Sequence, residues 1–123
     1  MRTGIWLVLL MATLLGFGCG HSKAGAYGES AAVAIDKAEV TVEMKDLVFQ
    51  PQGLKVRPVT TVTWVNNDPV VHNVRQIESA FFSADVMPPG SSFSFTFEKP
   101  GTYRYQCTFH HPAMNGVVIV GST

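Results

Sequence analysis

Cys107, His110, His111 and Met114 fall within one short run, Cys107-Thr108-Phe109-His110-His111-Pro112-Ala113-Met114. A thiolate, an imidazole and a thioether are soft donors, and so short a loop aims them at one point. His72, in Asn66-Asn67-Asp68-Pro69-Val70-Val71-His72-Asn73, offers a second imidazole from elsewhere in the chain. Two imidazoles, one thiolate and a weak axial thioether make the donor set of an electron-transfer copper site. Either loop histidine completes the set, because the run parses as Cys-x2-His110-x3-Met or as Cys-x3-His111-x2-Met. A lone methionine is usually a core filler, and a lone histidine is usually a surface or core residue. The combination is what points to a metal.

Something stiff must hold such donors together. Lys37 to Met44 alternates, with Ala38, Val40, Val42 and Met44 in one phase and Glu39, Thr41 and Glu43 in the other, which predicts a half-buried strand. Leu47-Val48-Phe49 and Leu54-Lys55-Val56 flank a turn at Gln50-Pro51-Gln52-Gly53, and Thr60 to Val65 is β-branched and aromatic. Val71 to Arg75 resumes strand after Asp68-Pro69. Ile77 to Val86 has no clear period, and Phe81-Phe82 is expected over the core as a short helix or loop. Phe93, Phe95 and Phe97 alternate with Ser92, Ser94 and Thr96, and a one-residue slip would expose all three rings. Cys107 shares the phase of Tyr103 and Tyr105, so its sulfur is expected on the side that buries the rings. Gly116 to Val120 reads as buried on both faces. Pro89-Gly90 and Pro100-Gly101 each suit a type II turn. The sum predicts an all-β fold, an antiparallel Greek-key β-sandwich of seven to eight strands. Cys107 ends one strand and Gly116 starts the next, so the ligand loop lies at one end of the sandwich, where His72 can join it.

The 123 residues allow one domain. Hydrophobic residues make up 46% and charged residues only 15%, enough for a core and too little charge for a disordered chain. Lys+Arg and Asp+Glu both number 9, and no basic patch stands out, which argues against nucleic acid as a partner. The acidic residues show no paired arrangement and are read as solvated.

The N-terminus is organised differently. Met1-Arg2 is a small positive start, and Gly4 to Phe17 is an apolar run of signal-peptide length, short for a membrane span. Residues 1–26 are read as an export signal with two endings. Ala24-Gly25-Ala26 suits cleavage, and Leu15-Gly16-Phe17-Gly18-Cys19 resembles a bacterial lipoprotein signal, with Cys19 as a membrane tether. Either ending places the domain outside the cytoplasm, in the periplasm or on a membrane facing away from the cytoplasm. His21 to Asp36 is rich in Gly, Ala and Ser, so residues 27–36 read as a flexible tether and 37–123 as the folded domain. A Cys19–Cys107 disulfide is disfavoured, because Cys19 lies where the chain is removed or lipidated. Cys107 is then a lone thiol in an oxidising compartment, and metal ligation explains it.

These pieces together resemble the cupredoxins, the blue copper proteins of the plastocyanin, pseudoazurin and amicyanin group. The resemblance covers roughly Val40 to Val120. It rests on Val62-Thr63-Trp64-Val65-Asn66, His72-Asn73-Val74, Met87-Pro88-Pro89-Gly90, Pro100-Gly101-Thr102-Tyr103 and the Cys107 loop. It implies one type 1 copper ion, Cu(I)/Cu(II), held by His72, Cys107, a loop histidine and Met114. The implied role is a one-electron carrier between redox proteins. Short-loop relatives share Cys-x2-His, which favours His110, while His111-Pro112-Ala113-Met114 resembles the His-Pro-x-Met of amicyanin. The resemblance also gives Asn73 the task of tying the His72 loop to the Cys107 loop. Val59 departs from it, since many relatives have glycine there. Pro69, Val70, Phe109, Pro112 and Ala113 are expected to form an apolar docking patch around the loop histidine of a monomer.

The alternative on the same fold is a copper storage or delivery protein, which ordinarily wants several ligand sets or a Met/His-rich tract. A thiol enzyme would leave His72 and Met114 without a task. An oxidase or nitrite reductase needs further copper sites, and beyond the tether only His72, His110 and His111 remain. The carrier, not an enzyme, is the reading that uses every donor.

Overall fold

The computed structural model describes residues 27–79 and 82–121. The expected signal segment with Cys19 lies outside the described residues, and so does Phe81. Ten strands follow in chain order: β1 (Val33–Ala34), β2 (Glu39–Lys45), β3 (Val48–Gln50), β4 (Gly53–Val56), β5 (Thr60–Asn66), β6 (His72–Gln76), β7 (Ser83–Met87), β8 (Ser92–Phe97), β9 (Gly101–Gln106) and β10 (Asn115–Val120). They form two packed sheets, ordered β1-β4-β10-β9-β6-β7 and β3-β2-β5-β8. The sandwich is the expected class. β1 and β7 are the strands that alternation did not predict.

Pairing direction differs from expectation. β2 runs parallel to β5, and β4 runs parallel to both β1 and β10, so neither sheet is purely antiparallel. Alternation says which face a residue takes and carries no information about the sense of its neighbour. Residues 27–36 are also not a free tether. They carry a 3-10 turn (Glu29–Ala31) and β1, which pairs with β4. Composition hid this because the pairing is made by backbone groups, and it covers what would otherwise be an open sheet edge.

The core is built by the phases read from sequence. Val62, Trp64 and Asn66 point inward from β5, and Thr61, Thr63 and Val65 alternate with them. The ring of Trp64 stacks on Phe82 at 5.5 Å and Phe93 at 5.7 Å, and meets Tyr105 edge-on at 5.3 Å. Phe97 is fully buried, whereas Phe93 and Phe95 are only half-buried. β8 is an edge strand with a neighbour on one side alone, and of its rings only Phe97, which meets Phe82, Phe95 and Tyr103, is closed over fully. Full burial of a Phe contributes about 2 kcal/mol, so β8 draws less from its rings than its sequence suggests. On the opposite face hydroxyls pair across strands, Thr61 with Thr96 at 2.8 Å and Thr63 with Ser94 at 2.6 Å.

Two turn positions bear on stability. Gly90 has φ 82°, as a type II turn requires, while Gly101 is already the first residue of β9. Val59 has φ 69° and an exposed side chain. A β-branched residue in that region is strained, by about 1–2 kcal/mol. Val59→Gly relieves the strain and loses no packing. After the entropy of glycine is subtracted, it is expected to stabilise the fold by about 1 kcal/mol. A rise in the denaturant midpoint without change in slope is the check.

Candidate metal centre

The site forms where β9 ends and β6 begins. Cys107 follows β9 directly, and the chain then loops back into β10. The loop is closed by its own backbone. Cys107 N–H donates to Met114 O at 3.0 Å, His110 N–H to Cys107 O at 3.3 Å, and Met114 N–H to His110 O at 3.1 Å. Gly116, just beyond, is required by packing: a Cβ there would lie 2.6 Å from the Tyr105 ring and 2.8 Å from the Gln52 carbonyl.

His72 reaches the site through a fault in its strand. β6 pairs with β7, but the register shifts between His72 and Val74. Strict alternation would send His72 and Asn73 to opposite faces, yet both are buried, as is Val74. An irregularity of this kind re-aims side chains. His72 turns toward the thiol, and Asn73 turns to the ligand loop. The Asn73 amide donates to Thr108 Oγ1 at 2.7 Å, and its carbonyl accepts from Thr108 N–H at 2.7 Å. The strand bearing one donor is thereby fastened to the loop bearing the others.

Cys107 Sγ lies 3.7 Å from His72 Nδ1 and 3.5 Å from His110 Nδ1. The donor atoms of these three residues all fall within 4.8 Å of one another. The two imidazole rings meet edge to face, with centroids 5.0 Å apart. His72 and Cys107 are fully buried, and His110 is half-exposed. Met114 is buried on the same loop. His111 is exposed and stands outside the cluster.

One site residue escaped the sequence reading. Asp68, assigned there to solvent, is buried, and its carboxylate accepts three hydrogen bonds: from His72 Nε2 at 2.7 Å, Asp46 N–H at 2.7 Å and Leu47 N–H at 3.0 Å. Burial by itself pushes the Asp68 carboxyl up, but the bonds from His72, Leu47 and Asp46 outweigh it and hold the pKa below its ordinary value. The bond to Nε2 fixes the proton there and leaves the lone pair of Nδ1 facing the thiol. Asp46 and Leu47 both have positive φ, and the carboxylate holds the N–H groups of that strained turn. Asn66 completes the support, donating to Val70 O and Met87 O at 2.8 Å each and accepting from Asp68 N–H at 3.0 Å. Position i−4 from a candidate histidine, beside a proline turn, was the available signal.

The donor chemistry fits copper: one thiol sulfur, two imidazole Nδ1 atoms facing it, and a thioether on the closing loop. Residues 36–121 match the family of copper binding proteins of the plastocyanin/azurin kind. The chain belongs to this family. Among its relatives is amicyanin of Paracoccus denitrificans, 32% identical over 94 residues, covering 73% of this chain and 71% of the relative. Plastocyanin of Scenedesmus fuscus is 34% identical over 91 residues, covering 60% and 87%. A Cu-containing nitrite reductase from Thermus scotoductus superposes with a TM-score of 0.69 at 27% identity over 78% of this chain. The chain spans only 29% of that enzyme's length. A plastocyanin/azurin-type chain thus shares its fold both with small copper proteins and with one part of a larger enzyme.

Proposed function

We propose that His72, Cys107, His110 and Met114 hold one copper ion, with Asn73 supporting them, and that the chain carries single electrons between exported redox proteins. The observation that carries this reading is the convergence of the His72, Cys107 and His110 donor atoms within 4.8 Å. Copper, when bound, supplies the Cu(I)/Cu(II) couple. The protein supplies rigidity. His72 is clamped between Asp68 and the site, Cys107 is buried on a strand end, and Asn73 locks the two loops together. Donors that cannot move give a site of low reorganisation, which is what a carrier needs. Among the described residues this is the one cluster of its kind, which favours a carrier over an enzyme or a storage protein.

The half-exposed His110 is the donor closest to solvent. Phe109, Pro112 and Ala113 neighbour it in sequence, Pro69 and Val70 precede His72, and all five are exposed; together they make the apolar patch through which a partner docks weakly and briefly. Ala113→Glu places a charge on that patch and leaves the donors alone. Electron self-exchange, measured by NMR in mixtures of the two oxidation states, is expected to fall roughly tenfold through like-charge repulsion. The visible spectrum stays unchanged.

Export by the N-terminal segment completes the reading, the 27–121 body being a monomer outside the cytoplasm, either released by cleavage at Ala24-Gly25-Ala26 or held at a membrane surface by lipidation of Cys19. Titrating Cu(II) into the protein tests the function. One equivalent should develop a single intense thiolate-to-metal band. Uptake of several equivalents without that band would replace the carrier by storage or delivery.

A further inference from the structure

The two imidazoles of the metal centre are held in unlike surroundings. His110 is half-exposed, and the loop around it, Thr108 to Met114, carries no carboxylate. His72 is fully buried, and its Nε2 lies 2.7 Å from Asp68 Oδ2. Asp68 is itself only 7% exposed, and donors face both of its oxygens: Asp46 N–H at Oδ1, and Leu47 N–H and His72 Nε2 at Oδ2. An ionised carboxylate is an acceptor alone, and this is the arrangement that suits it. A negative charge is thus buried one imidazole away from the thiol of Cys107, which lies 3.7 Å from His72 Nδ1 on the other side of the ring.

Such a charge does more than hold a ring. A carboxylate on the outer N–H of a ligating imidazole makes the inner nitrogen more basic. In a buried setting its field is also weakly screened. Both effects favour the more highly charged of two oxidation states. The N–H groups of Asp46 and Leu47 take up part of the charge, and Asn66, which accepts from Asp68 N–H at 3.0 Å, fixes where the carboxylate stands.

We infer that Asp68 sets the reduction potential of the centre, holding it down by favouring Cu(II) over Cu(I) through His72. The inference rests on the copper reading proposed above. It makes His72 the electron-rich imidazole and His110 the weaker donor. Asp68 is a positioning residue, since it acts through His72, and its charge is the property that matters. The sign of the effect separates charge from mere support. Loss of the charge weakens Cu(II) more than Cu(I) and moves the potential up. A loosened site that admits water favours the ion of higher charge and moves the potential down.

The test compares the unaltered protein with Asp68→Asn, which keeps the shape and removes the charge, and with Asp85→Asn. Asp85 lies on β7, the strand beside His72, but it is exposed and paired with Arg75 at 3.6 Å, so solvent screens it. In Asp68→Asn, spectroelectrochemistry of the copper-loaded protein should show Cu(II) affinity falling about tenfold more than Cu(I) affinity. For one electron that ratio is a rise of about 59 mV. In Asp85→Asn the ratio should stay within about twofold. The unaltered, metal-free protein supplies a check that needs no variant: ¹⁵N NMR should find the His72 proton on Nε2, in a downfield resonance typical of a charge-assisted bond. An unmoved or lowered potential in Asp68→Asn, with the visible band intact, would overturn the inference and leave the copper reading standing. A His72 proton on Nδ1 would do the same. Absence of the thiolate-to-metal band from the unaltered protein would overturn the copper reading and this inference with it.

Discussion

Replacing His110 with alanine is expected to abolish the intense visible band of the copper-loaded protein, and replacing His111 with alanine is expected to leave it intact. The two histidines are adjacent, yet their surroundings differ in kind. His110 Nδ1 is 3.5 Å from Cys107 Sγ, its ring meets the His72 ring, and its backbone is bonded at both ends inside the ligand loop. His111 is exposed and outside the cluster. Loss of His110 removes a donor, so copper affinity should fall by more than the roughly 10–100-fold that removal of an outer partner costs. For His111→Ala, affinity, band and self-exchange should all stay within about twofold, as for an exposed side chain without a structural task. Copper titration followed by visible spectroscopy measures both variants. A bandless His111→Ala beside a coloured His110→Ala would exchange the two assignments.

The sequence made the donor loop readable because its soft side chains are close together, so their convergence needs almost no tertiary information. Choosing between His110 and His111 required the loop's internal hydrogen bonds, because spacing suits either. Strand faces were readable where period-two alternation was clean, as in Phe93, Phe95 and Phe97. The degree of burial was not, since an edge strand and a central strand share one pattern. His72 shows the same limit from the other side. Alternation gives no warning that consecutive residues His72, Asn73 and Val74 are all buried, because a register shift is a property of two strands together. The arm at residues 27–36 was illegible for a related reason: its order comes from backbone pairing and one arginine 75 residues away from Glu29. Cysteine near histidine is rare enough to be noticed. A carboxylate such as Asp68 is common at surfaces, so its burial had to be seen.

Asp68→Ala is expected to weaken both the fold and the metal site. The carboxylate accepts from His72 Nε2, Asp46 N–H and Leu47 N–H, and in the buried setting of Asp68 water is poorly placed to substitute for it. A buried donor left unsatisfied costs about 1–3 kcal/mol. With three donors orphaned and some relief by solvent at the exposed turn, the metal-free protein should lose on the order of 4 kcal/mol, read from denaturant unfolding. Asp68→Asn keeps one carbonyl oxygen and should lose about half as much, because its amide confronts a donor where an acceptor is required. Copper affinity should drop roughly 10–100-fold in either variant, since the His72 ring loses the partner that fixes its proton and its orientation. The pairing of the two losses is the diagnostic. Asp46 and Leu47 tie the carboxylate to a strained turn, and His72 ties it to the donors, so one side chain serves both. A variant that lost stability but bound copper as tightly as before would confine Asp68 to the turn. His72 would then have to be held by the register fault in β6 and by Asn73 alone.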